Sequence, residues 1–413
     1  MKNILVVGAG FAGAVVSREL AERGYRVLVI DARNHIAGNA YDYVNEHGIR
    51  VHKYGPHIWH TNNQEAQDWT SKFTDWSWHR HTVHAQLEDG RHVPLPINAT
   101  TIEEVFGNEL YEFVDAINGW AFSNGLNSEI EPAAIEKFLE TKRVKLDGPP
   151  QNSRELVESS VGKELCEIFF APYTEKMWGL KLEELPAGVA ARIPTRTDYG
   201  DGYFPKDRYQ GFPTDGYTAM FEKIFDHPNI TVSLNTRRED LPQFGLSGNM
   251  RFIPGWEDTQ FDQVFTSEPL DSLYEFDDGP LPWRSIKCHT CSVPVPSVLI
   301  DSVVNFTHSG PHTRATEWKK FPSHGDNPHW TTLTVEEPCD YVDNNMERYY
   351  PVKTSDRNDP YKALYEKYRA RAEADGYICI GRCANYQYLD MWMVVAQTLK
   401  IVRDFLETEN DPV

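Results

Sequence analysis

A glycine triplet near the start of the chain sets the tightest limit on how it can fold. Gly8, Gly10 and Gly13 lie between a short apolar, β-rich run (residues 3–7) and a segment of helical periodicity (residues 14–23). A second apolar strand, residues 25–30, ends at Asp31. Gly-x-Gly-x-x-Gly in the turn of a strand–helix–strand unit, with an acidic residue roughly 20 positions on, is the layout that binds a dinucleotide. Gly8 permits the tight turn, Gly10 lets the backbone approach a pyrophosphate, and Gly13 lets the helix lie close on the strand. Phe11 and Ala12 open the helix, whose first N–H groups and positive dipole end suit phosphate. Asp31 suits the hydroxyls of a ribose. The expected class is α/β, a Rossmann-like domain whose apolar strands are buried on both faces of a parallel sheet. The triplet alone leaves NAD and FAD open.

The remaining residues must build more than this unit, since 413 residues exceed what a single core needs. The chain is 40% hydrophobic and 25% charged, which excludes a disordered or low-complexity polymer. Its 61 acidic and 41 basic residues give a net charge of −20. Such a chain is a poor general binder of nucleic acid or of an anionic membrane. An anionic substrate would need a few placed arginines to hold it against the overall field. No apolar run is long enough for a membrane span. The apolar segment after Lys2 is broken by the three glycines, so it reads as mature structure and not as a signal peptide. Six cysteines in a chain of this length do not make a disulfide framework, and a cytoplasmic location is expected.

From about residue 100 to 195 the pattern is helical, with apolar residues at three- and four-residue spacing. Asn152 and Glu155 stand at N-cap and N3 spacing for one of these helices. Strands return at 230–234, 263–266 and 283–288, then between 303 and 335. A strand at 377–380 precedes a helix over 391–406. The expected division is a dinucleotide-binding domain (1–80, about 205–245, and 350–413), a helical domain (100–195) and an antiparallel sheet domain (81–99, about 196–204, and 246–349). Two groups of metal-binding residue types are read as decoys. Cys288-x-x-Cys291 is a lone pair that would need Cys379 and Cys383 to complete a zinc site. His79, His81 and His84 read as solvent-exposed histidines on a strand face. No metal is expected.

Several further elements occur in order. Asp31-Ala32-Arg33 and Gly38-Asn39-Ala-Tyr-Asp resemble the second cofactor-binding stretch of flavoproteins. Then come Gly55-Pro-His57-Ile-x-His-Thr61, Pro94-Leu-Pro-Ile-Asn98, Tyr173-Thr-x-Lys-x-Trp178-Gly, Ala191-Arg192-Ile-Pro-Thr-Arg196, Asp201-Gly-Tyr203-Phe, Tyr350-Pro-Val and Gly381-Arg382 with Tyr386-x-Tyr388-x-Asp390-Met391. Together they resemble the UDP-galactopyranose mutase family over nearly the whole chain. The resemblance implies bound FAD, active when reduced, and a non-redox isomerisation of UDP-galactopyranose to UDP-galactofuranose through a flavin N5–sugar adduct. It implies that Arg192 and Arg314 hold the pyrophosphate and stabilise the charge that develops on the leaving nucleoside diphosphate. It places Phe169, Phe170, Tyr173 and Trp178 on the uridine side. Tyr203, Tyr350 and Tyr388 would meet the phosphates, Asn98 would lie near the substrate, and Asp390 would meet substrate or ribityl hydroxyls. His57, Arg382 and Met391 would lie near the flavin, with His57 a catalytic candidate. Tyr173 and Trp178 are read as lying beyond the helical pattern, and residues 180–188 as a lid. The implied partners are a nucleotide sugar and a reductant such as NAD(P)H or a reductase, with a homodimer possible.

The chain departs from the family pattern at Ala37, Trp59, Pro172, Met177 and Trp392, and in residues 288–303, which read as an insertion or a rewritten strand pair. These departures leave the sugar open. Two alternatives stand beside the main reading: a mutase of another UDP- or dTDP-hexopyranose, and an amine oxidase-like oxidoreductase sharing only the dinucleotide fold.

Overall fold

In the computed structural model, which describes residues 2–118, 129–190, 195–244, 250–352 and 359–410, the glycine turn joins the strand Asn3–Val7 to the helix Phe11–Ala21. Asn3–Val7 is the middle strand of a five-stranded parallel sheet. The order is Ile230–Ser233, Arg26–Ile30, Asn3–Val7, Gln263–Thr266, Tyr377–Cys379. Val6 sits in register with Val29 on one side and Phe265 on the other. Successive side chains of the central strands leave by opposite faces. Ile4, Val6, Val27 and Val29 join the large core under the helices, whereas Leu5, Leu28 and Ile30 pack with Leu241, Ile253 and Trp256 on the far side.

A seven-stranded sheet forms the second layer system, in the order Tyr350–Pro351, Trp283–Val293, Thr331–Asp340, Arg314–Glu317, Val303–Phe306, Val83–Gln86, His92–Leu95. It is antiparallel except where Val303–Phe306 runs parallel to Val83–Gln86. The boundaries expected from the sequence shift at two places. Gln263–Thr266, expected in the antiparallel domain, pairs with Asn3–Val7 in the parallel sheet. Tyr350–Pro351, expected in the dinucleotide-binding domain, pairs with Trp283 and Arg284 in the antiparallel one. Both strands are short and apolar, and partner choice between sheets is a long-range property that periodicity does not carry.

Residues 288–303 begin as the second half of the strand Trp283–Val293, which pairs with Thr331–Asp340 from Arg284↔Asp340 to Val293↔Thr331. Cys288 and Cys291 therefore stand three positions apart on one strand and leave by opposite faces. They cannot chelate one ion, and all six cysteines are free thiols. The histidine reading needs correction. His81 is buried among aromatic rings, near Tyr203 and Phe321, not exposed on a strand face. His79 is half-buried, and His84 pairs with Asp301 at 3.2 Å.

Asn152 caps its helix, Ser153–Val161, by accepting from the Glu155 N–H at 2.9 Å. Farther on, Cys166–Phe170 forms one π-helical stretch leading into the helix Ala171–Trp178. The wider turn re-phases the apolar spacing. For that reason Tyr173 and Trp178, read as lying past the helix, are part of it. No helix among the described residues is long and apolar enough to cross a membrane.

Candidate functional site

The glycine turn is shaped for close backbone approach. Gly8 has φ +105° and a Cβ there would strike the Ser267 hydroxyl. A Cβ on Gly13 would lie 1.9 Å from the Gly8 carbonyl oxygen, so only glycine lets the helix meet the strand. Gly10 is the N-cap and offers no side chain to its helix, which leaves the first-turn N–H groups to an outside anion. The Asp31 carboxylate accepts from Ala9 N–H and from Arg33 N–H, each at 2.8 Å. It thus ties the glycine turn to the end of the second strand. The second stretch folds against the first. Ala37 N–H donates to the Ala9 carbonyl at 2.9 Å, and a Cβ on Gly38 would come within 3.0 Å of the Gly10 Cα. Arg33 donates to Asn39 at 2.9 Å, pairs with Glu347, and lies over the Tyr54 ring. Gly8, Gly10, Phe11, Ala12, Gly13, Asp31, Ala32, Arg33, Gly38 and Asn39 therefore form one cradle, fit for a dinucleotide.

Beyond the cradle lies a group of guanidinium and aromatic side chains. Arg314 opens the strand Arg314–Glu317, and its Nε donates to Glu336 at 2.6 Å from the paired strand Thr331–Asp340. Glu336 is 1% exposed. Burial works against the charge on Arg314, but the Glu336 carboxylate together with the Tyr173 and Tyr350 phenols outweighs it, and the guanidinium is held more firmly protonated than usual. Gly55 lies directly against this pair, since a Cβ there would meet the Glu336 carboxylate at 2.9 Å. Two residues on, half-buried His57 feels both Arg314 and Arg382. Burial pushes its pKa down to about 4 against the opposing bond from the Gly55 carbonyl, with the two arginines lowering it further. His57 is therefore a neutral imidazole at pH 7, with Nδ1 2.8 Å from the Gly55 oxygen.

Arg382, in the short helix Gly381–Ala384 that precedes the long helix Met391–Asn410, donates to the carbonyls of Tyr349 and Leu389. Its guanidinium stands over the rings of Tyr388 (4.9 Å) and Tyr350 (5.7 Å). Those two rings stack at 5.4 Å, and Trp178 meets Tyr350 edge-on at 6.1 Å. Asp390 immediately precedes the same helix and accepts from Val394 N–H through its carbonyl. Burial raises the pKa of Tyr173 and of Tyr350, and Arg314 acts in the opposite sense on both, so these phenols stay protonated donors beside the arginine.

Two cations fix the helix Ala171–Trp178 to the antiparallel sheet. The Lys176 ammonium donates to the carbonyls of Phe306, His308 and His312 at 2.7–2.9 Å, clamping the turn that leads to Arg314. Arg284 donates to the Met177 and Lys176 carbonyls at the helix end.

One end of the group opens on a cavity lined by Leu95, Phe169, Phe170, Tyr173, Tyr203, Asn305 and Thr307. Phe169 and Phe170, expected on the uridine side, are each 4% exposed in the core and each line this cavity. The Asn305 side chain is 5% exposed, and its Oδ1 has no hydrogen-bond partner among the described residues. Sequence reasoning missed Asn305 and Glu336. Neither lies in a recognisable motif, and each reaches the site only through strand pairing.

Not every expected residue is here. Asn98 is spent on structure: its Oδ1 caps the helix Ala99–Phe106 and its Nδ2 donates to the Gly200 carbonyl. It supports the segment that carries Tyr203. Arg192 lies outside the described residues. The segment expected to be a lid is docked. Leu182 and Leu185 are buried, and Ser153 donates to the carbonyls of Leu185 and Pro186. Its closure would have to carry the helix Ser153–Val161 along. Among the described residues one group of three metal-binding side chains has its ligand atoms within 4.8 Å of one another, Glu158, Cys166 and Glu167.

With this geometry in view, comparison with known proteins is direct. A family model described as UDP-galactopyranose mutase matches residues 168–388, and one for an NAD(P)-binding Rossmann-like domain matches 6–73. A probable UDP-galactopyranose mutase from Klebsiella pneumoniae is 34% identical, covering 98% of this chain and 95% of its own. A dTDP-fucopyranose mutase from Escherichia coli is 30% identical over the whole of both chains. A crystal structure of reduced UDP-galactopyranose mutase superposes with a TM-score of 0.71 at 16% identity, covering 100% of this chain and 97% of the other. A putrescine oxidase variant superposes at 0.53 and 14% identity, which speaks to the shared fold alone. Matched end to end by these relatives and over more than half its length by the family model, the chain belongs to the UDP-galactopyranose mutase family.

Proposed function

We propose that this protein is a flavin-dependent mutase that interconverts a UDP-hexopyranose and its furanose form, with UDP-galactopyranose the leading substrate. The observation that carries the reading is the pair of half-buried Arg314 and buried Glu336, packed against the His57 loop and walled by Tyr173, Tyr350 and Tyr388. The cradle would hold FAD: Asp31 at the ribose, the helix N-terminus at the pyrophosphate, and Arg382, His57 and Met391 toward the isoalloxazine. The chemistry a reduced isoalloxazine supplies when bound is a nucleophilic nitrogen and a route to open and reclose the sugar ring with no net redox change.

The protein's own part is binding and electrostatics. Arg314 meets the diphosphate, with Tyr203, Tyr350 and Tyr388 donating to it and Asp390 accepting sugar or ribityl hydroxyls. Arg192 is proposed as the second pyrophosphate arginine on its motif. Fixed guanidinium charge is worth more as the leaving diphosphate gains charge, in a site screened from water by Tyr173 and Trp178. Neutral His57 has no proton to spare at pH 7 and suits a hydrogen-bonding role beside the flavin better than that of a general acid. Reductant is needed only to prepare the flavin, from NAD(P)H or a reductase, and a homodimer is the proposed assembly.

Asn305 suits a base edge. An amide beside Phe169, Phe170 and Tyr173 can accept from a uracil or thymine N3–H while the rings stack on the base. Asn305→Leu should raise KM about tenfold with kcat little changed, the scale of one lost polar contact, as steady-state kinetics will show. A dTDP-hexopyranose is the second reading, favoured by the Escherichia coli relative. The deciding experiment is to reduce the yellow, flavin-loaded protein, incubate it with a panel of UDP- and dTDP-hexopyranoses and separate products by chromatography. Furanose from a UDP sugar supports the main reading, and furanose from dTDP sugars alone supports the second.

A further inference from the structure

His52 ends the strand Arg50–His52 and is 1% exposed, packed against the rings of Phe212, Tyr217 and Trp318. None of the motifs above includes it. Its Nδ1 accepts from the backbone N–H of His57 at 3.1 Å. Its Nε2 faces the Nε2 of His324 at 3.0 Å. His324 is also 1% exposed, and its Nδ1 lies 2.8 Å from the Pro322 carbonyl oxygen.

One assignment of hydrogens satisfies this chain. The Pro322 carbonyl can only accept, so His324 Nδ1 carries a hydrogen. A neutral His324 then has a bare Nε2, and the hydrogen between the two rings belongs to His52 Nε2. That leaves His52 Nδ1 bare, which is the acceptor His57 N–H requires. Protonating either ring would set two N–H groups face to face. Burial keeps both rings neutral, lowering the pKa of His52 and bringing that of His324 down to about 4.

We propose that His52 is a positioning residue for the reaction: it fixes the Gly55–His57 backbone, and so the His57 imidazole, against the flavin, while His324 acts solely by holding His52 in the accepting tautomer. Gly55 at φ +85° and its carbonyl's bond to His57 Nδ1 leave the His57 N–H as the loop's anchor to the strand behind it. The inference rests on the flavin reading of the cradle.

The test uses holoenzyme variants His52→Leu, His52→Asn, His324→Leu and the double variant His52→Asn/His324→Leu. An asparagine Oδ1 can stand where His52 Nδ1 stands and needs no partner to set its tautomer. His52→Leu should lower kcat about tenfold with KM nearly unchanged, and should move the visible absorption bands of the bound flavin. His52→Asn should return kcat to within about threefold of the parent and restore the bands. His324→Leu should resemble His52→Leu, yet have no further effect in the His52→Asn background, because the tautomer no longer matters there. Equal losses in His52→Leu and His52→Asn with unchanged flavin bands would overturn the proposal. So would an effect of His324→Leu of the same size in both backgrounds. If a leucine variant at 52 fails to fold, the comparison of His52→Asn with and without His324→Leu still decides. A parent protein that binds flavin but turns over no nucleotide sugar would defeat the mutase reading, leaving the flavin bands to judge the His52 proposal alone.

Discussion

Arg314→Ala is expected to lower kcat/KM at least about a hundredfold, the scale of one lost electrostatic contact to a developing charge. The same change leaves Glu336, 1% exposed, with no countercharge. Breaking a buried pair from one side costs about 3–5 kcal/mol, so the single variant should also be clearly less stable. The two effects separate in the double variant Arg314→Ala/Glu336→Gln. Removing the stranded charge should recover most of the stability in urea titrations, while activity stays low. Arg314→Lys should fall between, because an ammonium cannot serve Glu336 and the diphosphate with a rigid fork. Activity that returned along with stability in the double variant would mean that Arg314 acts on the fold and not on the substrate.

The second large effect is loss of stability in mild acid. His52, His81 and His324 are each at most 3% exposed, and burial lowers all three, His81 to about 3 and His324 to about 4. The unfolded chain takes up protons at these rings below about pH 6.5, whereas the folded chain refuses them. Stability from these groups is therefore full above pH 6.5 and falls as pH drops toward 4. Glu268 opposes them. Burial raises its pKa to about 7, so its folded form binds a proton that the unfolded carboxylate does not hold above about pH 4.5. Joined by His57, which burial brings to about 4, the histidines outnumber this one carboxyl, so unfolding takes up protons on balance and stability falls between pH 6 and 5. Urea midpoints measured from pH 7.5 to 4.5 should fall steeply across that interval, and His81→Phe should flatten the slope by one proton. A midpoint that holds steady down to pH 5 would contradict the burial of these rings.

What the sequence disclosed and what it hid follow from how local each constraint is. The cradle was legible because part of it is a local backbone demand: Gly8 takes φ +105°, and a Cβ on Gly13 would strike the Gly8 carbonyl. The N-cap at Asn152 was legible for the same reason. Arg314 and the tyrosines at 350 and 388, implied by the resemblance, lie together, but their order along the chain could not give the stacking of Tyr350 on Tyr388 or the pairing with Glu336. Asn305 and Glu336 are set by a strand register spanning distant segments, a property of the folded sheet alone. His81 was misread because its burial depends on Phe321 and Tyr203, each far from it in sequence. Asn98 was read as a ligand residue from its motif, and its capping role became visible only with the Gly200 carbonyl in place. The helix holding Tyr173 was cut short because a π-helical turn shifts the apolar phase.

Reductive titration of the flavin-loaded protein with a nucleotide-sugar assay tests the central claim most directly. The protein should be inactive with its flavin oxidised. Once reduced by dithionite without oxygen, it should form many equivalents of furanose per flavin and consume no further reductant. Equal turnover in the oxidised state, or reductant consumed in step with product, would contradict it.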